Sequence, residues 1–172
     1  PDYPALLAEI SDPPPVLYCA GVLPDTVREL TVAVVGTRKA SAQGLRMAKK
    51  LGYELSRAGT VVVSGCAEGA DRAAMEGALR GGSAVIGVLG CGVGVVYPKS
   101  CRRLYAAVRD DGCLLSEYPP GTPPISWHFP ARNRIISGLS RGVIVTEAPR
   151  RSGALITARL AMEQGRDVFA VP

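Results

Sequence analysis

This sequence predicts an α/β fold, a doubly wound and mainly parallel sheet with helices on both faces. Two observations carry that prediction. Short aliphatic runs alternate with helix-length stretches from residue 31 onward, and right-handed crossovers between parallel strands place helices on both faces. The apolar residues are mostly aliphatic, with only two Phe and one Trp, a composition that suits strands covered on both sides.

The elements follow in order. Val32-Ala33-Val34-Val35 runs into Gly36 and reads as a buried strand. A helix is expected from about Ser41 to Ala58, with Leu45, Ala48, Leu51, Gly52 and Leu55 on one stripe. Thr60 to Val63 begins the next strand, Asp71 to Arg80 the next helix, and Ala84 to Leu89 a third strand. A helix from about Lys99 to Arg109 leads to a short strand at Cys113 to Ser116. The prolines of Tyr118 to Pro124 remove backbone donors, so that stretch is a loop. A helix near Phe129 to Leu139, a strand at Val143 to Thr146, a helix from Gly153 to Gln164 and a strand at Val168 to Val171 complete the series. Residues 1–30 read as a lead-in segment, with a short edge strand near Val16 to Cys19 after three prolines. Residues 31–172 form the Rossmann-like core, expected to be a piece of a longer chain.

Composition narrows the class. No apolar run approaches the ~20 residues of a membrane helix, and no secretory signal pattern opens the chain. The five cysteines are scattered and none has C-x-x-C spacing, which fits reduced thiols in a cytoplasm and no metal site. The formal charge is +5, and residues 126–166 alone account for it, their basic residues all being arginine. Arginine suits phosphate and stacks on bases, although composition alone fits a solvated basic face as well as a nucleic-acid surface.

Ligands of open parallel sheets bind beyond the carboxyl ends of the strands. The Gly-rich loops fall there: Gly36 and Thr37; Ser64, Gly65 and Gly69; Gly90 and Gly92; and the stretch through Ser152 and Gly153. Such loops bring backbone close to a ligand and offer helix-start N–H groups to an anion, so they read as a phosphate-binding rim. There is no G-x-G-x-x-G after the first strand and no G-x-x-x-x-G-K-[ST], so neither a dinucleotide cofactor nor an NTP motor is expected. No catalytic residue is expected either. His128, between Trp127 and Phe129, reads as a packing or stacking residue, and Cys66 and Cys91 as small buried side chains.

Several motifs resemble those of the DNA-processing protein A family (DprA, also called Smf). They are Val34-Val35-Gly36-Thr37-Arg38, Ser64-Gly65 with Gly69 and Asp71, and Val88-Leu89-Gly90-Cys91-Gly92. Further on come Tyr97-Pro98, Leu115 to Pro123, Phe129-Pro130-Ala131-Arg132-Asn133-Arg134-Ile135-Ile136 and Arg151 to Ala158. The resemblance implies an extended Rossmann-like fold that binds single-stranded DNA, forms a homodimer and loads the RecA recombinase during natural transformation. It implies that Arg38 reaches a phosphate, that Arg132 and Asn133 contact backbone or base, and that Ser152, Gly153 and Thr157 present helix-start donors. Lys99 joins the set for its charge on the same rim. Phe129 either stacks a base or anchors the helix entry. Arg134 is included as well, with an ion pair to Glu147 as its alternative. Neither Arg38 nor Arg132 is needed by a turn or an early helix position, so alanine at either is expected to cost within about 0.5 kcal/mol of stability if the site faces solvent.

The chain departs from the family pattern at Glu68, where arginine is usual, and at Ala70, Met75 and Ser100-Cys101. Glu68 is expected to weaken the second loop as a DNA contact, or to pair with Arg38 or Arg72. The alternative reading is a nucleotide-binding sensor or a nucleoside-monophosphate hydrolase of a related superfamily. Glu117, Glu147, Glu68 and Asp71 are the carboxylates available to such chemistry.

Overall fold

The computed structural model describes residues 3–172. A four-residue helix, α1 (Ala5–Ala8), precedes β1 (Tyr18–Gly21). The core then runs β2 (Thr31–Val35), α2 (Ala42–Arg57), β3 (Val61–Ser64), α3 (Ala70–Gly81) and β4 (Val85–Val88). A 3-10 turn at Lys99–Cys101 leads into α4 (Arg102–Asp110), followed by β5 (Gly112–Ser116), α5 (His128–Gly138), β6 (Gly142–Val145), α6 (Gly153–Glu163) and β7 (Asp167–Ala170).

The seven strands lie in the order β1-β5-β4-β3-β2-β6-β7. Every pairing is parallel except that of β1, which runs antiparallel to β5 at one edge. Side chains alternate across the strands and so divide the core in two. Ala33, Val35, Val61, Val63, Ile86 and Val88 face Ile135, Ile136, Leu139, Ala154 and Ala158 of α5 and α6. Val34, Val62, Val85 and Leu114 face the alanines of α2 and α3 and Leu104 and Val108 of α4.

The stripe expected for α2 is corrected by this packing. The buried positions are Gly44, Ala48, Gly52 and Ser56, while Leu45 is 37% exposed and Leu51 and Leu55 are half-buried. The neighbour α3 lies too close for large side chains. A Cβ on Gly52 would strike the carbonyl of Ala74, and one on Gly77 would strike that of Lys49. Backbone nearly touches backbone, so the small residues form the contact.

The winding fixes where a ligand site belongs. From β2 the chain builds outward through β3, β4 and β5, then crosses back to place β6 on the other side of β2. The reversal opens a crevice beyond the carboxyl ends of β2 and β6, the usual ligand position of such sheets.

Candidate nucleic-acid interface

A cavity of about 250 Å³ occupies that crevice. Its walls bring together Gly36, Arg38, Phe129, Arg132, Asn133, Gly153 and Thr157 of the expected set, and add Asp71, Ser126 and Ile156. Lys99, Arg134, Ser152, Thr37, Ser64, Gly65, Gly69, Gly90 and Gly92 are not among its lining residues.

Arg38 and Arg132 have opposite environments. Arg38 follows β2 and is exposed, with its guanidinium carbon 5.4 Å from the centre of the Phe129 ring, within the range of a cation–π contact. Phe129 is half-buried and also meets Tyr97 at 5.5 Å between ring centres, so it anchors the helix entry while keeping part of its ring at the cavity.

Arg132 is only 4% exposed, which corrects its assignment to a position indifferent to residue type. Its NH1 donates to the Gly65 carbonyl at 2.9 Å and also to the Val88 carbonyl, and its Nε donates to Asn133 Oδ1 at 3.2 Å. Asp71, 7% exposed, faces it across Gly65. A Cβ on Gly65 would lie 2.7 Å from Asp71 Oδ2 and 2.9 Å from Arg132 NH2, so glycine there lets the two charges face each other. Burial pushes the Asp71 carboxyl up, opposed by Arg132 and by backbone N–H groups including that of Gly36, which donates at 3.2 Å. Burial also lowers Arg132 against the pull of Asp71, yet a guanidinium remains charged. Arg132 is thus a fixed positive charge in the cavity floor, with Nη1 and Nε engaged by protein acceptors. Asn133, also buried, donates from Nδ2 to the Gly153 carbonyl at 3.3 Å.

The glycine loops also differ from the expected phosphate cradle. The Gly36 N–H is held by Asp71, that of Thr37 by the Glu147 carbonyl at 2.8 Å, and that of Gly92 by the Thr122 carbonyl at 3.0 Å. Ser64 is fully buried and donates to Val34 O. Gly69, at φ 83°, packs on the backbone of Thr37 and Arg38, and a Cβ on Gly90 would meet the Phe129 ring. Close packing of backbone and ring thus accounts for glycine at 69 and 90, and three of the rim N–H groups are taken by protein acceptors. At α6 the Ser152 hydroxyl accepts from the Ala154 N–H at 3.3 Å as the N-cap. Among the described residues the exposed Gly153 N–H at the cavity wall has no partner. The Thr157 hydroxyl is buried and turns back to the Gly153 carbonyl at 3.5 Å.

Arg134 is a structural ion pair. Its two terminal nitrogens grip the two Glu117 oxygens at 2.7 Å each, so the partner is Glu117 rather than Glu147. Glu147 instead accepts from the Ser41 N–H and hydroxyl, the latter at 2.8 Å, at the start of α2. Two of the departures from the family pattern meet in space, for the Ser100 hydroxyl donates to Glu68 Oε1 at 2.6 Å. That contact replaces the expected pairing of Glu68 with Arg38 or Arg72. Lys99 is exposed at the preceding position. His128 stacks on Tyr118 at 3.7 Å and its Nδ1 meets the Gly90 carbonyl at 3.2 Å. Cys66 and Cys91 are buried, as their small size suggested.

The crevice thus sets a buried Arg–Asp floor under an exposed arginine and a half-open aromatic ring. The model of the DNA recombination-mediator protein A family matches residues 1–172. The chain belongs to that family. Within it, the chain is 51% identical over 170 residues to DNA processing protein DprA of Streptococcus pneumoniae, covering 99% of this chain and 60% of that protein. It is 44% identical over 170 residues to DprA of Bacillus subtilis, covering 99% and 57%. The chain therefore spans about three-fifths of the length of these DprA relatives. The solved structure of the Streptococcus pneumoniae DprA superposes with a TM-score of 0.93 at 50% identity, over 99% of this chain and 59% of that one. The DNA processing protein A of Helicobacter pylori, whose structure concerns its single-stranded DNA binding mode, gives 0.93 at 34% identity, over 100% and 79%. A molybdenum cofactor carrier protein of Chlamydomonas reinhardtii shares the fold alone, at a TM-score of 0.60 and 21% identity over 83% and 76%.

Proposed function

We propose that this DprA-family chain binds single-stranded DNA at the β2/β6 crevice, with Arg38 on a phosphate and Phe129 beneath a base. The observation that carries the reading is the exposed Arg38, without a carboxylate partner among the described residues, beside a half-open aromatic ring in a cavity whose floor holds a second arginine. A charge-assisted contact to phosphate and a sequence-tolerant stacking surface are the two parts of single-strand recognition. The Helicobacter pylori relative, at 34% identity over the whole of this chain, supports the same ligand here.

Binding without catalysis belongs to the proposal. It is supported by the occupied state of the rim carboxylates: Glu117 is gripped by Arg134, Glu147 by Ser41, and Asp71 faces buried Arg132. As in the family to which the chain belongs, the proposed role is to form a homodimer and hand the coated strand to a RecA-type recombinase during DNA uptake in the cytoplasm. No described helix is long and apolar enough to cross a membrane.

The test is fluorescence anisotropy of labelled oligo-dT with the wild-type protein and Arg38→Ala, beside an assay of base release from nucleoside 5′-monophosphates. Micromolar or tighter oligo-dT binding that drops in Arg38→Ala, with no base released, is the expected result. Base release, or oligo-dT binding indifferent to Arg38, contradicts the reading.

A further inference from the structure

Arg38 belongs to two cavities. Besides the crevice, it stands at the mouth of a groove of about 480 Å³ between the first turns of α2 and α3. Arg46 and Lys49 of α2 and Arg72 of α3 line this groove, with Glu76 as its one acidic residue and Leu45 and Ala73 contributing apolar surface. The charges are unbalanced. Glu76 accepts from Arg72 Nε at 2.8 Å and lies 3.7 Å from Lys49 Nζ, so one carboxylate is shared by two cations. Among the described residues, Arg46 and Arg38 have neither a carboxylate partner nor a side-chain hydrogen bond.

The arrangement follows from the helix pair. Small residues draw α2 and α3 together below this level, as Gly52 against Ala74 and Gly77 against Lys49 require. The long basic side chains of the first two turns, Arg46 and Lys49 of α2 and Arg72 of α3, are left to wall the opening. Like charges held side by side repel one another unless an anion joins them. A lone anion would engage one or two of the four cations, whereas a polyanion with repeating phosphates engages all of them. Leu45, 37% exposed, offers a surface to a sugar or base face between phosphates.

We infer that the α2–α3 groove is a second subsite for the same single strand, carrying the nucleotides next to the one held at Arg38. The inference rests on the reading that the crevice binds single-stranded DNA. Arg38 is the shared post where the strand passes from crevice to groove. Glu76 is a built-in competitor, holding Arg72 and Lys49 until a phosphate displaces it.

The experiment is anisotropy on an oligo-dT ladder from about 4 to about 16 nucleotides, the span of typical single-strand site sizes, with thermal melting on the same preparations. Arg46→Ala, on an exposed side chain, is expected to melt like the wild type. It should bind the shortest oligomers within about twofold of it and the longest about tenfold more weakly, with a salt slope shallower by about 0.7 per lost phosphate contact. Glu76→Gln is expected to act in the opposite direction, tightening the long oligomers severalfold and leaving the short ones alone. Arg38→Ala should weaken every length. If Arg38→Ala weakens every length while Arg46→Ala and Glu76→Gln change none, the groove is off the path and only this inference falls. An equal loss at every length in Arg46→Ala also overturns it, because the groove would then not be a separate subsite. If Arg38→Ala changes no length, the reading beneath it falls as well.

Discussion

Replacing Arg132 with alanine should damage the fold before it touches any ligand. The guanidinium serves the Gly65 and Val88 carbonyls and Asn133 Oδ1, and it is the countercharge of buried Asp71. Its removal leaves three buried acceptors short of a donor and a carboxylate without its opposite charge. Breaking a buried charge pair by deleting one side costs about 3–5 kcal/mol, and the orphaned carbonyls place this site at the upper part of that range. For a domain of this size each kcal/mol shifts the melting temperature by about 2–4 °C, so a cost of about 4–5 kcal/mol gives a fall of roughly 8 to 20 °C. Arg132→Lys should recover only part of it, because one ammonium cannot span the same acceptors. Pairing Arg132→Ala with Asp71→Asn should cost less than the sum of the two, with a coupling of about 1–3 kcal/mol. The assay is thermal and urea unfolding of the wild type, Arg132→Ala, Arg132→Lys, Asp71→Asn and the double variant. An Arg132→Ala protein that unfolds within about 0.5 kcal/mol of the wild type would refute the reasoning.

Other substitutions should separate fold from ligand. Arg38→Ala, on an exposed side chain, should melt normally yet weaken oligo-dT binding by ~1–3 kcal/mol; a protein that melts and binds normally removes Arg38 from the DNA path. Arg134→Ala should lower the melting temperature through the loss of the two-pronged Glu117 contact, while the folded fraction keeps its affinity; a selective loss of affinity would return Arg134 to the interface. Glu68→Arg breaks an exposed contact with Ser100 and removes a negative charge near the rim, so binding should tighten by about 1 kcal/mol or less at low salt and revert at high salt. Unchanged affinity at every salt concentration would set that loop apart from the ligand. Burial and the neighbouring Glu117 push Tyr118 up to about 12, and burial pushes Tyr105 up too. Because the folded values lie above the unfolded value of about 10, their contribution is whole below pH 10 and is lost as pH rises toward 12. Tyrosinate absorbance should therefore lag in the folded protein, and six tyrosines all titrating near 10 without unfolding would contradict that environment.

The sequence revealed the sheet because aliphatic runs such as Val61-Val62-Val63 have few other places to go. Each core strand fell within a residue or two of its expected limits, and β1 followed from a short apolar run after three prolines. The four-residue α1 is too short for any periodicity to mark it. The site was less legible, because its exposed and buried charges look alike in one dimension. Arg132 was nonetheless readable: Ile135, Ile136 and Leu139 lie three, four and seven residues on, which places it on the buried stripe of α5. Asp71 lies on the corresponding stripe of α3 with Ala74, Met75 and Ala78. The period marks each charge as buried but not their pairing, because α3 and α5 lie on opposite faces of the sheet and the two residues meet only beyond the strand ends. By contrast, the Glu68–Ser100 contact joins loops 32 residues apart, and no local pattern encodes it. Glycine is ambiguous in the sequence, because backbone crowding by other backbone leaves the same mark as backbone crowding by a phosphate.

The most direct test of phosphate-led single-strand binding is the salt dependence of oligo-dT affinity for the wild-type protein. Each phosphate neutralised on a single strand contributes a slope of about −0.7 in log affinity against log salt. Several arginine contacts therefore give a slope of about −2 or steeper, and Arg38→Ala should be shallower by about one contact. Tight binding with a flat salt dependence would contradict the account.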